Sequence, residues 1–346
     1  MGAAPQSIVS RIAHETLRQS SKDVRHRPWW SRLDDDFYEH PENFNLTIYD
    51  DSRVQATAFV DIAVRTLGAV AIGCTSFSAG FHPNKLRALE THRKFYEPIA
   101  EGGNPNIFFG TPATNLDIKI QTPTWPFYDP EDGKCIDFSF QSSYEPFNTR
   151  YRKKYLKNKR NRVAHARYWR HESGPRPTVI MVHGFGAESY WLNEWYMGIR
   201  QIYELGCDVL AVTLPFHGPR QERFSPFSGC GFFAGGLPGI NEAFGHAVFD
   251  IRTFMNILEE QFGVTKMGVS GVSLGGYTSA LLACVEPRLK FSIPIVPVAS
   301  IADLALEWEP LGSIVRRFFR NSEHSLEEAR RILAVTSPLT YQPVIA

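Results

Sequence analysis

Cysteine is scarce in this 346-residue chain, with five in all, and no two of them form a C-x-x-C pair. Cys74, Cys135, Cys207, Cys230 and Cys284 are odd in number and widely spaced. That pattern argues against a zinc ribbon and a disulfide framework and favours a reducing compartment, so a cytoplasmic location is expected. Charge of one sign is lacking too, because 37 Lys and Arg stand against 36 Asp and Glu. This excludes a global footprint for nucleic acid and leaves only local patches to consider. There is no uncharged apolar run of the roughly 20 residues that a spanning helix needs. The most apolar stretch, Ala56 to Phe77, carries Asp61 and Arg65 and is expected to be a buried helix. The N-terminus, MGAAPQSIVSRIAHETLRQ, lacks the apolar core of a signal peptide, and Gln6 breaks the myristoylation pattern. No repeat or low-complexity tract stands out. The glycine-rich stretch Ser228 to Gly239 (SGCGFFAGGLPG) reads as a loop; it lacks G-x-G-x-x-G, so it is taken as one wall of a pocket and not as a dinucleotide fingerprint. Neither a cofactor nor a metal is expected.

What is present is a globular composition, with 43% hydrophobic and 21% charged residues. Residues 1–133 read as an N-terminal, partly helical extension, and 134–346 as the main domain. In the latter, Cys135–Gln141 (CIDFSFQ) alternates as a half-exposed strand does, and Arg162–His171 is a second extended segment. Pro177–Val182 (PTVIMV) is a continuous apolar run of the kind buried on both faces. Trp191, Trp195, Ile199, Ile202 and Tyr203 fall at helical steps up to Gly206, and Cys207–Leu214 is the next strand. Phe244, Val248, Ile251, Met255 and Leu258 mark a second helix, followed by a strand at Lys266–Val272, a helix at Leu274–Cys284 and a strand at Leu289–Val296. Strands alternating with helices of this length imply an α/β fold, a mainly parallel sheet with helices on both faces. Ligands of such sheets bind beyond the carboxyl ends of the strands, so chemistry is expected in the loops after Val182, Leu214 and Val272.

The last of these loops contains Gly271-Val272-Ser273-Leu274-Gly275 (G-x-S-x-G) between a strand and a helix. Two readings compete. Ser273 is the N-cap of the Leu274 helix, or it is a nucleophile on a sharp turn that Gly271 and Gly275 keep clear of side chains. A second motif, MVHGFG, runs from a strand into His183-Gly184-Phe185-Gly186.

Together the two motifs and their order resemble the oxyanion loop and nucleophile elbow of the α/β-hydrolase superfamily, over Cys135 to Pro297. The Leu214–Arg220 turn (LPFHGPR) is similar to that of a poorly characterised branch of α/β-hydrolase domain-containing proteins. The resemblance implies Ser273 as nucleophile, with the backbone N–H groups of Leu274 and Phe185 as oxyanion donors. His183 reads as a loop-shaping residue, His217 as structural or pocket-lining, and His246 as a surface or core histidine. The implied activity is cleavage of a small-molecule or lipid acyl ester, or a thioester. The rival expectation is a non-catalytic hydrolase-fold protein that binds a ligand or partner.

In that superfamily an acid and then a histidine follow the serine. Here the chain after Ser273 holds one histidine, His324, and one aspartate, Asp303. Asp303 follows Ser300 and His324 precedes Ser325-Leu-Glu-Glu328, so both are expected at helix caps, with His324 a weak candidate for the base. The strands carrying the acid and histidine are accordingly expected beyond Ala346. Finally, Arg150 to Arg170 holds ten Lys or Arg and no acid. It reads as a solvated connection into an exposed strand, or as a patch for an anionic surface.

Overall fold

Two runs of aliphatic residues build the centre of the molecule. Thr178–Val182 and Asp208–Val212 are buried along their whole length and lie side by side as parallel strands. In the computed structural model, which describes residues 28–33, 89–298, 300–307, 311–320 and 325–345, they belong to a seven-stranded sheet. The strands in chain order are β1 (Lys119–Gln121), β2 (Gly133–Gln141), β3 (Val163–His171), β4 (Thr178–Val182), β5 (Asp208–Val212), β6 (Met267–Val272) and β7 (Leu289–Ile295). Their order across the sheet is β1-β2-β3-β5-β4-β6-β7. From β5 through β4 and β6 to β7 the pairing is parallel, and β1, β2 and β3 join antiparallel.

Helices in chain order are α1 (Leu89–Glu101), α2 (Pro105–Phe109), α3 (Thr149–Tyr155), α4 (Tyr190–Tyr196), α5 (Ile199–Glu204), α6 (Cys230–Ala234), α7 (Gly236–Phe262), α8 (Leu274–Val285), α9 (Ile301–Glu307), α10 (Leu311–Arg320) and α11 (Leu326–Leu333). Strand alternation sorts their contacts. Val179, Met181, Val209 and Ala211 face Ile199 and Tyr203 of α5 on one side. Ile180, Val182, Leu210 and Val212 join α7 and α8 in the larger core on the other. Right-handed crossovers explain this, since the chain moves one way from β4 to β5 and the other way from β5 to β6 and β7. The connection leaving β4 therefore turns to the opposite face from the one leaving β6. In open α/β sheets a reversal of strand order of this kind is where ligand crevices lie, between those loops at the carboxyl edge.

The described part of the first 133 residues packs into the larger core, through Trp29, Trp30, Tyr96, Phe108 and Phe109. The Trp29 indole donates to the Thr340 hydroxyl at 2.9 Å, and Arg331 of α11 pairs with Glu97 of α1 at 3.1 Å. The apolar stretch Ala56 to Phe77 lies outside the described residues.

Several expectations change. Ser228 to Gly239 is mostly helix, covering α6 and the start of α7. Its glycines are close-packing sites: a Cβ at Gly231 would meet the Phe216 ring, and one at Gly239 would come within 2.9 Å of the Tyr151 hydroxyl. The helix after β4 is broken at Gly198, which turns left-handed at φ 65° and separates α4 from α5. The strand after the basic segment is largely buried, with Arg167 bonded to Asp137 and Glu194 at 2.6 and 2.9 Å. Asp303 lies in the first turn of α9, where its amide donates to the Ser300 hydroxyl at 3.5 Å, but its carboxylate pairs with buried Arg330 at 2.5 Å. The segment after Thr340 joins no strand among the described residues; Val344 N–H donates to Ala283 O at 2.9 Å.

Beneath the carboxyl edge lies a polar cluster sealed from solvent. The Arg220 guanidinium, from the loop after β5, pairs with Asp250 of α7 at 2.7 Å and donates to Asn161 O and Thr213 O. His246 contacts Asp250 Oδ2 and the Ser142 hydroxyl at 3.1 Å, with its other nitrogen 3.1 Å from the Tyr155 hydroxyl. Burial pushes the Asp250 carboxyl up, but His246 and Arg220 outweigh it and hold the group below its ordinary value. Asp250→Ala would strand a buried guanidinium, which typically costs about 3–5 kcal/mol. We expect the urea midpoint to fall accordingly with an unchanged slope.

Candidate active site

Between β6 and α8 the chain must turn from strand to helix within one residue, and Ser273 is that residue. Its backbone sits at φ 54°, ψ −110°, a region that non-glycine residues seldom occupy. Holding it there costs on the order of 1–3 kcal/mol. An N-cap serine would have extended backbone and would hold an amide of the first helical turn; Ser273 has neither property. Its hydroxyl is half-buried and hydrogen-bonds no group among the described residues, while its amide donates to Ile295 O at 3.0 Å.

The glycines around it are where backbones meet. A Cβ on Gly275 would collide with the carbonyls of Val182 and His183, and one on Gly271 would run into Gly275 itself. A Cβ on Gly276 would lie 2.6 Å from Ile295 O. The start of α8 is thereby pressed between the ends of β4 and β7. Gly184 faces Val272 O and the Ser273 Cβ, at 3.3 and 3.8 Å from where its own Cβ would be. Sequence spacing predicts both loops, and they do meet at the sheet edge.

His183 shapes the first of these loops. Its Nε2 accepts from the Leu214 amide at 3.0 Å, so its Nδ1 carries the proton and donates to Gly184 O at 2.7 Å. The Ala187 amide donates to the same carbonyl at 3.2 Å, closing a turn with Gly186 at φ 70°. In a planar trans peptide, fixing the Gly184 carbonyl on one side aims the Phe185 N–H to the other. That N–H makes no backbone hydrogen bond among the described residues. The Leu274 N–H is the first of α8 and has no intrahelical partner. The Phe185 ring packs edge-on against Phe227, Phe233 and His217.

His217 is fully buried, with Nδ1 2.8 Å from Pro215 O and Nε2 without a hydrogen-bond partner. That nitrogen packs against Gly229, where a Cβ would overlap it. Phe216, at φ 66°, is a second strained position in this loop. Neither Phe216 nor Arg220 stood out in the sequence as a site residue; the dense LPFHGPR turn is the signal that could have flagged both. Burial lowers the His183 imidazole to about 4, lowers His217 well below its ordinary value and lowers His246. None of the three is free to serve Ser273. His324 lies outside the described residues. The acids after Ser273 include Glu286, bonded to Arg252 and Arg288 at 3.1 and 2.8 Å, and Asp303, held by Arg330. No group of His, Cys, Asp and Glu suited to a metal occurs among the described residues.

Residues 177–290 match the family model described as alpha/beta hydrolase fold. Two uncharacterised proteins of Mycobacterium tuberculosis are each 30% identical to this chain over 175 residues. The match takes in 49% of this chain and 40% of each relative, so the matched region is well under half the length of those relatives. Acetyl xylan esterase 1 from Thermoanaerobacterium sp. superposes with a TM-score of 0.48 at 17% identity, over 72% of this chain and 77% of that one. An acetyl xylan esterase from Paenibacillus sp. gives 0.48 at 14%, over 72% and 78%.

Two outcomes follow from this geometry. Gly275→Ala forces side-chain volume into fixed backbone, and we expect a loss of about 1–3 kcal/mol or more in denaturant unfolding. The buried imidazoles fix a pH response. Unfolded histidine takes up a proton below about 6.5, whereas folded His183 waits until about 4. The unfolded state then binds more protons in that window, so stability falls as pH drops through it. His183→Gln should remove about one proton from the slope, roughly 1.4 kcal/mol per pH unit.

Proposed function

We propose that this α/β-hydrolase-fold protein is a serine hydrolase that cleaves a carboxylic ester or thioester, from a small or lipid acyl substrate, through an acyl-enzyme on Ser273. The observation that carries the reading is a serine in strained backbone, between glycines that exist for close packing, with a hydroxyl that bonds nothing among the described residues. Strain of this kind clusters at functional sites because the surrounding structure must over-determine it.

In the proposed reaction the Ser273 oxygen attacks the acyl carbon and its proton passes to a base. The carbonyl π electrons move to oxygen, where the Phe185 and Leu274 amides receive the charge. Collapse expels the alcohol or thiol, which takes up the proton, and water then releases the acid by the same steps. In the superfamily that base is an imidazole, and it has to be uncommitted elsewhere. His183 and His246 fail that requirement through their hydrogen bonds, and His217 through its enclosure. Within this sequence His324 is the remaining candidate after the serine.

The second reading is a hydrolase-fold protein that binds a ligand without turning it over. It is favoured by one observation: the histidines around the Ser273 turn, His183, His217 and His246, are all engaged elsewhere, and no described base reaches the serine. A fluorophosphonate probe separates the two. Labelling of the chain that disappears in Ser273→Ala supports the hydrolase; equal labelling of both, or of neither, rejects it.

A further inference from the structure

We propose that the carboxyl edge of the sheet, where Ser273 stands, is a docking face for an anionic lipid bilayer. The topology puts the basic segment there. β3 runs antiparallel to β5 with Ala166 opposite Val212, so the start of β3 lies beside the end of β5. The segment entering β3 carries exposed Lys153, Lys157, Lys159, Arg160 and Arg162. It is tied to the loop after β5, because the Arg160 amide donates to Glu222 Oε1 at 3.0 Å. Two residues on, Phe224 is 92% exposed, with the Arg223 guanidinium 5.8 Å from its ring centroid.

The other flank of the same edge is aromatic. α4 begins just after the His183 loop, and its Tyr190 hydroxyl lies 2.9 Å from the Thr213 hydroxyl at the end of β5. From there Trp191, Trp195 and Tyr196 stand 60%, 68% and 61% exposed, and Phe127 packs edge-on to Trp191 at 5.7 Å. Large exposed apolar groups clustered in this way mark an interaction surface. Indole and phenol rings favour the membrane–water interface, and a basic cluster supplies the attraction to anionic headgroups. Stacked bases would use the rings as well, but Leu192, also exposed on α4, has no π-face to offer a base and gains by entering hydrocarbon. The proposed contact is one of surface side chains with headgroups and the interface; no helix among the described residues is long and apolar enough to cross a membrane.

Docking does not require Ser273 to be a nucleophile, and its test is read without turnover. The full chain is sedimented with phosphatidylcholine vesicles that contain or lack phosphatidylserine. We expect binding to the anionic vesicles that weakens with salt. Replacing Lys157, Lys159 and Arg160 by Gln should reduce partition about fivefold per charge removed. Trp191→Ser with Trp195→Ser, and separately Phe224→Ser, should weaken binding while leaving the melting temperature unchanged, since all three side chains are exposed. Ser273→Ala should bind as the parent does, which separates this proposal from the hydrolase reading. The proposal is overturned if anionic and neutral vesicles bind equally or not at all, if neither set of substitutions matters, or if single-stranded RNA is bound in place of vesicles.

Discussion

A helix begins in this molecule where no side chain fits. The Cα of Gly275 lies so close to the carbonyls of Val182 and His183 that even a methyl group would overlap them. That approach presses the first turn of α8 onto the end of β4, and the strand-to-helix turn has only Ser273 in which to be made. The positive φ at Ser273 is thus a consequence of packing between two backbones. Gly271 and Gly276 repeat the device toward the body of α8 and toward β7. Three glycines fix one serine, and the serine fixes where the edge of the sheet presents a hydroxyl.

Around that turn the polar groups are committed in pairs. His183 uses both ring nitrogens to join the loop after β4 to the loop after β5. Arg220 joins the loop after β5 to α7 through Asp250. Two of the loops that border the crevice are therefore held by bonds made beneath them, out of reach of water, where breaking one would leave an unpaired buried group. Buried imidazoles with lowered proton affinity stay neutral at ordinary pH, so His183 and His217 bring no positive charge to the wall beside Ser273. Charge at this edge comes from outside it, from the exposed lysines and arginines that lead into β3.

How much of this could be read from sequence depended on whether a residue's neighbours were near in the chain. PTVIMV announces a doubly buried strand because its own residues are enough to say so, and the strand–turn–helix order around Ser273 follows from hydrophobic period alone. The glycine-rich SGCGFFAGGLPG was misread as a loop because glycine signals flexibility and close packing alike. The partner that distinguishes them, Tyr151, lies some 80 residues upstream. Asp303 was misread for the same reason, since its local setting says cap while Arg330, from another helix, makes it half of an ion pair. Arg167 looked like one more charge in a basic run until β2 and α4 supplied its two carboxylates. Local motifs were legible, and partnerships across the fold were not.

The distinction bears on the serine itself. G-x-S-x-G alone allows either a cap or a nucleophile, and a cap serine lowers the energy of its helix by giving its oxygen to an amide. Ser273 forgoes that bond and holds an unfavourable backbone besides. Packing fixes the turn, but a glycine would occupy its positive φ without strain, and the serine gains its helix no capping bond in return. Folding sets the turn but gives no reason for a serine in it; under the proposed function the hydroxyl, which bonds nothing among the described residues, and the Leu274 and Phe185 amides would act on a substrate. The fold stabilises itself elsewhere, through paired buried charges and a continuous apolar core, and so can sustain one strained residue at its edge.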